Sequence, residues 1–129
     1  MALMQIAEPG TLSSERRNPV RAVGIDLGTT NSLIAVVEDS VPKVLSDGDG
    51  RVLIPSVVHY EKDGDVVVGV TAQSEVLTDP LNTLSSIKRL LGRGTMDIPR
   101  LGNQLPYEFE TKEGGMPIIL TRHGPVGPV

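Results

Sequence analysis

The stretch "GIDLGTTNSLIAVVED" at residues 24–39 interrupts a run of strand-forming residues with five small residues rich in hydroxyl groups. Gly28 has no Cβ, so a phosphate group could approach its backbone. The amides and hydroxyls of Thr29 and Thr30 could then donate hydrogen bonds to the phosphate oxygens. Asp26 could orient a hydrated magnesium ion, since this cation keeps several waters and is bound through few carboxylates. The alternative is a polar turn, because glycine, asparagine and serine are common turn formers.

Two well-known phosphate-binding loops are excluded. The chain contains neither the G-x-x-x-x-G-K-[ST] pattern nor a G-x-G-x-x-G pattern at the start of a helix. Asp47 and Asp49 have the spacing of a calcium loop, but Arg51 stands where the third ligand belongs and Val58 where the closing glutamate belongs. We therefore interpret this segment as a solvated turn.

The remaining candidates for metal or nucleophilic chemistry are few. His59 alternates with apolar residues and His123 lies in a loose segment, and neither has neighbours that would complete a metal site. We interpret both as structural. The chain has no cysteine, which excludes disulfides, thiolate metal sites and cysteine nucleophiles.

Length and charge narrow the class of protein. The chain has 129 residues, the size of one domain, and a net charge of −4. Without clustered lysine and arginine, neither nucleic acid nor a membrane surface is an expected partner. No apolar run approaches the roughly 18 residues of a membrane span. We interpret residues 1–20 as a flexible arm and expect a cytoplasmic protein, because the arm lacks the order of charged and apolar segments found in secretory signals.

The apolar pattern predicts a chain rich in β-strands. Only three residues are aromatic, so the core must be built from valine, isoleucine and leucine. Two strands at 22–27 and 33–37, each buried on at least one face, should form a hairpin through "GTTNS". Further strands are predicted at "KVL" 43–45, "SVVHY" 56–60, "DVVVG" 65–69 and "PIILT" 117–121.

The spacing changes in the middle of the chain. Apolar residues recur every three or four positions between 81 and 91, which predicts an amphipathic helix that carries Lys88. Asp79 or Asn82 could cap its start, and Gly92 is placed to end it in a left-handed conformation. A shorter helix is predicted at 72–77. On this pattern alone, Lys88 is an ordinary solvated charge.

Three segments in order resemble the opening of the DnaK class of heat-shock chaperones: "GIDLGTTNSLIAVVED", "RVLIPSVVHY" and "NTLSSIKRLLGR". They are spread over residues 24–93, which makes the resemblance specific. The arm "MALMQIAEPG", the "LPYEF" at 105–109 and the "GGMP" at 114–117 are more similar to the branch of that family that serves iron–sulfur cluster assembly.

The resemblance implies an α/β fold of the actin-like, ribonuclease H-like type. Residues 21–129 would then form only the first part of the nucleotide-binding domain, without the second phosphate loop, the adenosine pocket and the peptide-binding domain. It also implies a set of site residues, in which Lys88 is catalytic and reaches the γ-phosphate, Asp26 holds Mg²⁺ through water, and the ATP phosphates are bound by Gly28, Thr29, Thr30 and Asn31. Arg89 lies next to Lys88 with no assigned role.

The implied function is an ATP-dependent chaperone in which Mg-ATP binding and hydrolysis switch the affinity for a client peptide. The expected partners are an iron–sulfur scaffold protein as client and a J-domain co-chaperone. A general folding chaperone of the same class is the alternative. Two other classes stay open: a sugar or acetate kinase of the actin-like superfamily, and a noncatalytic interaction module that uses the hairpin only as structure.

Overall fold

The computed structural model describes residues 22–110 and 115–129, with the backbone alone at 100–104. The predicted arm at 1–20 lies outside these residues. The described chain is rich in strands and poor in helix, and its short elements are β1 Val23–Leu27, β2 Asn31–Glu38, β3 Val41–Val44, β4 Ile54–Pro55, β5 Val57–Tyr60, β6 Val66–Val68, α1 Val70–Ser74, β7 Thr83–Ser85, 3-10 helices at Ile87–Leu90 and Thr95–Gln104, β8 Glu108–Phe109, β9 Ile119–Thr121 and β10 Gly124–Val126.

The first sheet, here called the hairpin sheet, has the strand order β1-β2-β3, with β4 also pairing with β2. Strands β1 and β2 are antiparallel, from Val23 opposite Val36 to Leu27 opposite Ser32. The predicted hairpin is therefore confirmed. The predicted burial is wrong for β1, because every residue of this strand is exposed and Ile25 is 67% accessible. It is the outer strand of the sheet, and the core of the described chain forms elsewhere.

The second sheet, here called the central sheet, has the order β6-β5-β7, and all its pairs are antiparallel. Its middle strand β5 contributes Val57 and His59 to the buried residues of the described chain. Helix α1 packs against β5 and buries Ala72 completely. The helix predicted at 72–77 is thus present, although it spans Val70–Ser74.

The third sheet has the order β10-β9-β8 and joins the central sheet through a small apolar core. The fully buried members of this core are Leu90 and Ile119, and they pack with Leu84 and Tyr107. Tyr107 and Phe109 meet edge to face, with ring centroids 6.5 Å apart. Strand β9 falls within the segment predicted at 117–121.

The helix predicted between 81 and 91 is wrong. The segment instead contains strand β7, a left-handed residue at Ser86 (φ 56°) and a single 3-10 turn. Leu81 and Leu91 remain more than 40% exposed, so the helical spacing of apolar residues does not define a buried face. Asp79 and Asn82 do not cap a helix but bond to each other.

Two details of the prediction are confirmed, the left-handed residue at Gly92 and the turn at Asp47. Gly92 has φ +70° just after the 3-10 turn, the left-handed conformation expected of a residue that ends a helical segment. The turn at Asp47 is closed by its own side chain, whose Oδ1 accepts hydrogen bonds from the amides of Asp49 and Arg51. In the described chain no helix is long and apolar enough to cross a membrane.

Candidate functional site

The loop between β1 and β2 is a tight turn that only glycine can begin. A Cβ placed on Gly28 would lie 2.1 Å from the carbonyl oxygen of Asn31, far inside van der Waals contact. By contrast, a Cβ on Gly24 would meet only the Ala35 carbonyl oxygen, at 4.0 Å. The missing side chain at Gly28 is therefore a requirement of the loop, because the Asn31 carbonyl oxygen takes the space that a Cβ would need.

Strand β4 holds the other end of this loop. The amide of Ser56 donates to the carbonyl of Thr30 at 2.8 Å, and Asn31 pairs with Pro55. The hydroxyls of Ser32 and Ser56 lie 2.7 Å apart. These three contacts fix the turn from the side of β2, which is what a preorganised anion site requires. The sequence pattern gave no sign of the Ser32–Ser56 contact, because the two residues are 24 positions apart.

Lys88 reaches this loop from a distant part of the sequence. Its Nζ donates to the carbonyl oxygen of Leu27 at 2.5 Å, immediately before Gly28. The two residues are 61 positions apart. Although the predicted helix is absent, the 3-10 turn Ile87–Leu90 presents the lysine to the hairpin. A cation thus stands beside the loop between β1 and β2.

The sheet pairing explains why the Leu27 carbonyl is available. Ile34 of β2 accepts a hydrogen bond from the amide of Leu45, on the β3 side of the sheet. Successive residues of an antiparallel strand direct their backbone amide and carbonyl groups to opposite sides, so residues two positions apart share a side. Ser32 lies two residues before Ile34 and therefore also directs its backbone groups away from β1. Leu27 lies opposite Ser32, and its carbonyl therefore points out of the hairpin, toward Lys88.

A cleft of about 420 Å³ lies between the hairpin sheet and the central sheet. Gly28 and Thr29 line it on one side, and Ile87 and Lys88 on the other. Among the lining residues of the described chain, Lys88 alone carries a charge; most of the others are apolar. Lys88 itself is exposed, so water screens its charge, and the apolar walls strengthen its attraction to an anion only where the anion displaces that water.

The predicted site residues divide into two groups. Gly28, Thr29 and Lys88 share the cleft. Thr30, Asn31 and Asp26 do not line it: the first two are exposed at the far end of the loop, and Asp26 is exposed within β1. The structure thus brings the lysine to the start of the loop and leaves the carboxylate facing solvent.

A second and more polar cavity of about 600 Å³ lies on the opposite face of the central sheet. Side chains alternate along β5, so His59 points into this cavity while Val58 and Tyr60 line the cleft. His59 is buried, and its Nδ1 lies 2.8 Å from the hydroxyl of Thr83, in keeping with a structural role. In the part of the chain that is described, no group of three or more histidine, aspartate or glutamate side chains could hold a metal ion.

Asp79 is a carboxylate of this cavity that is both hydrogen-bonded and ion-paired. It accepts a hydrogen bond from Asn82 Nδ2 at 2.8 Å and forms an ion pair with Arg122. The hydrogen bond from Asn82, followed by the charge of Arg122, lowers the pKa of Asp79 from its ordinary value of 3.8. This pair connects the segment before β7 to the turn between β9 and β10.

The sequence resemblance implies a phosphate-binding hairpin and a lysine for the ATPase domain of heat-shock chaperones. In the described residues, the Lys88 amine contacts the hairpin at Leu27. The model of the Hsp70 protein family matches residues 22–125. The chain belongs to the Hsp70 family, which confirms the resemblance.

Similar proteins point to one branch of this family. The chain is 50% identical, over all 129 of its residues, to a chaperone protein HscA homolog of Azotobacter vinelandii, of which it covers 21%. It is 47% identical over its whole length to the chaperone protein HscA of an Enterobacter species, again covering 21%. A homolog from Janthinobacterium is 54% identical over 109 residues, which are 84% of this chain and 17% of that protein. The chain therefore spans about a fifth of the length of the curated relatives it matches.

Proposed function

We propose that this chain supplies one wall of the Mg-ATP site of an ATP-hydrolysing chaperone. The observation that carries the proposal is the contact of Lys88 Nζ with the Leu27 carbonyl, which places a cation in the same cleft as Gly28 and Thr29. Phosphoryl transfer depends on positioning and on stabilising the charge that develops around the γ-phosphate. A lysine at the mouth of a preorganised loop supplies both.

The roles follow from the chemistry of each group. Gly28 and Thr29, with Thr30 and Asn31 beyond them, would donate backbone and hydroxyl hydrogen bonds to the phosphates. Gly28 and Thr29 line the cleft together with Lys88, and the hydrogen-bond donors of these residues suit an anionic phosphate. Lys88 can exchange the Leu27 carbonyl for a γ-phosphate oxygen, because both are hydrogen-bond acceptors and the phosphate carries more negative charge.

Magnesium and ATP complete the proposal. The exposed carboxylate of Asp26 is a hard oxygen ligand of the kind that binds Mg²⁺ through its waters. When bound, the ion would neutralise phosphate charge. The adenosine and the remaining phosphate contacts would come from sequence that the relatives carry beyond the matched fifth of their length.

The fold of the whole site is also part of the proposal. We place residues 21–129 in the first portion of a nucleotide-binding domain of the actin-like, ribonuclease H-like type, preceded by an arm at 1–20. The antiparallel hairpin sheet and the family match support this placement.

The biological role that we propose is maturation of iron–sulfur proteins in the cytoplasm. ATP binding and hydrolysis would switch the affinity for a client, an iron–sulfur scaffold protein, with a J-domain co-chaperone as partner. Support comes from the relatives that are named as HscA chaperones and from the resemblance of "LPYEF" to the iron–sulfur branch. A general folding chaperone of the DnaK type is the alternative within the same family.

The experiment uses a full-length chimera, in which this chain replaces the aligned segment of the Azotobacter vinelandii relative. Changing Lys88 to Met should lower kcat for ATP hydrolysis by about 100-fold or more, the usual effect of removing one group that stabilises transition-state charge. ATP binding, measured with a fluorescent analogue, should remain. Single-turnover phosphate release separates the chemical step from nucleotide exchange.

The matched control is Lys62→Met, which removes the same charge from an exposed turn outside the cleft. We expect it to hydrolyse ATP at the rate of the unmodified chimera. Unchanged turnover in the Lys88 variant would disprove the catalytic role. We expect no turnover from the 129-residue chain alone, because it covers only about a fifth of the relatives' length.

A further inference from the structure

The hydroxyl of Tyr107 makes two hydrogen bonds to the backbone of a single residue. It accepts from the amide of Ser85 at 2.7 Å and donates to the carbonyl of Ser85 at 3.0 Å. The tyrosine is only 7% exposed and belongs to the apolar core. A phenol can be donor and acceptor at once, so one side chain satisfies both backbone groups.

The backbone amide and carbonyl of Ser85 have no hydrogen-bond partner within the central sheet. Ser85 ends β7, the outer strand, and lies opposite Val57 of β5. The carbonyl of Val57 accepts a hydrogen bond from Gly69, on the other side of β5. Both backbone groups of a residue in an antiparallel strand point to the same side, so Val57 does not form a backbone hydrogen bond with Ser85. The amide and carbonyl of Ser85 therefore face away from the sheet. Tyr107 closes this open edge.

The chain turns sharply just after the residue that Tyr107 holds. Ser86 has φ +56°, a left-handed conformation that is unfavourable for residues other than glycine and needs support from its surroundings. The 3-10 turn Ile87–Leu90 follows, with Leu90 fully buried in the core beside Tyr107. The side chain of Lys88 extends from the exposed side of this turn, and its amine contacts the Leu27 carbonyl.

We infer that Tyr107 is a positioning residue for Lys88: its hydroxyl fixes Ser85 and thereby the left-handed turn that aims the lysine at the phosphate hairpin. The 3-10 turn is thus held at both ends, by the core at Leu90 and by the phenol at Ser85. The tyrosine of "LPYEF" gains a function that a phenylalanine ring could not perform. The catalytic meaning of this role rests on the proposed function, whereas the structural link can be tested without ATP.

The first test uses the 129-residue chain with Tyr107→Phe, which keeps the ring and removes both hydrogen bonds. Exchange of the Ser85 amide, followed by NMR, should accelerate about tenfold or more, since the net free energy of a hydrogen bond is worth about that factor. Acetylation of the Lys88 amine should rise relative to that of Lys62. Unchanged values of both quantities would overturn the inference.

The control is Val126→Ala. Val126 also packs against the core, but it does not line the cleft that holds Lys88. This variant should leave the Ser85 amide and the Lys88 amine as they are in the unmodified chain. Equal changes in both variants would assign the effect to general loosening of the core and overturn a specific role of Tyr107.

If the Tyr107 variant does not fold, the unmodified chain decides the question. The Ser85 amide should then be protected from exchange and should open together with the amides of Arg89 and Leu91, which close the 3-10 turn. A Ser85 amide that exchanges at the rate of an open chain would overturn the inference.

The second test measures ATP hydrolysis by the chimera. Tyr107→Phe should lower kcat while KM and ATP affinity stay close to those of the unmodified chimera, because the lysine is misplaced but the loop remains. A purely structural role would lower only the folded fraction, and kcat per folded molecule would be unchanged. If Lys88→Met retains full turnover, the proposed function fails, yet the exchange results still decide whether Tyr107 positions the turn.

Discussion

The hairpin sheet and the core around Tyr107 are built on opposite principles. In the hairpin sheet, β1 is exposed along its whole length and its apolar residues face solvent, with Ile25 67% accessible. In the core, Leu90 and Ile119 are completely buried, although the elements that carry them have only three or four residues. Sheet pairing organises the first region, and apolar packing organises the second.

The difference explains how the candidate site is assembled. The hairpin supplies a loop whose shape is set by backbone contacts, at Gly28 and between Thr30 and Ser56. The core supplies the cation, because it anchors the turn that carries Lys88. Neither region contains the site alone. Changes in the core should therefore reach the site through Lys88, and changes in the hairpin should act through the loop.

The largest expected effect is in the core. Replacing Ile119 with Ala should lower the free energy of unfolding by about 2–5 kcal/mol, the usual cost of emptying a fully buried site. Replacing Ile25 with Ala should change the free energy of unfolding by less than about 0.5 kcal/mol, because truncating an exposed side chain removes few packing contacts. Urea unfolding of the 129-residue chain measures both. Equal losses would show that β1 is covered in solution, for example by a second copy of the chain.

A smaller effect is expected in the loop. Gly28→Ala forces a Cβ against the Asn31 carbonyl, and the strain should cost roughly 1–3 kcal/mol. Faster exchange of the β2 amides near Ser32 would report the distortion locally. Gly24→Ala is the control, since its Cβ makes only an ordinary contact. If the two variants behave alike, the tight turn is not a requirement of the hairpin.

The sequence predicts the hairpin well and the segment at 81–91 badly, and the reason is physical. Strands β1 and β2 are adjacent in the chain and meet through a short turn, so local pattern is sufficient. Between 81 and 91 the helical spacing of leucines competes with Thr83, Ser85 and Ser86, whose side chains favour other conformations. Pairing with β5 and the Tyr107 hydroxyl, both remote in sequence, decide the outcome.

The candidate site also combines local features of the sequence with contacts between residues that are far apart in the chain. The types and order of Gly28, Thr29 and Thr30 allow a phosphate loop but also a polar turn, and the family resemblance is needed to favour the first. Lys88 could be named only from the resemblance, because its approach to Leu27 spans 61 residues. Ser56 and Tyr107 were not predicted as supports, since hydrogen bonds between distant residues leave no periodic signal.

The smallest effect is a pH dependence at the polar cavity on the other face of the central sheet. The pKa of Asp79 is lowered, first by its hydrogen bond from Asn82. The carboxylate therefore contributes stability that is fully present above its ordinary value of 3.8 and is lost as the pH falls through the lowered pKa. Asp79→Asn should make the free energy of unfolding fall less steeply with acid over this interval.

Asn82→Ala sharpens this test, because it removes the main cause of the lowered pKa and keeps the carboxylate. Its acid dependence should move toward that of Asp79→Asn, and the double variant should add little to either single change, as expected for two groups in one network. Additive effects would mean that the two residues act separately.

The Lys88 amine should be unaffected by either variant, since Asp79 acts on the opposite face of the central sheet. A change in the reactivity of the Lys88 amine would show that the two faces of the central sheet are coupled. It would contradict the description of the hairpin and the core as separately organised regions.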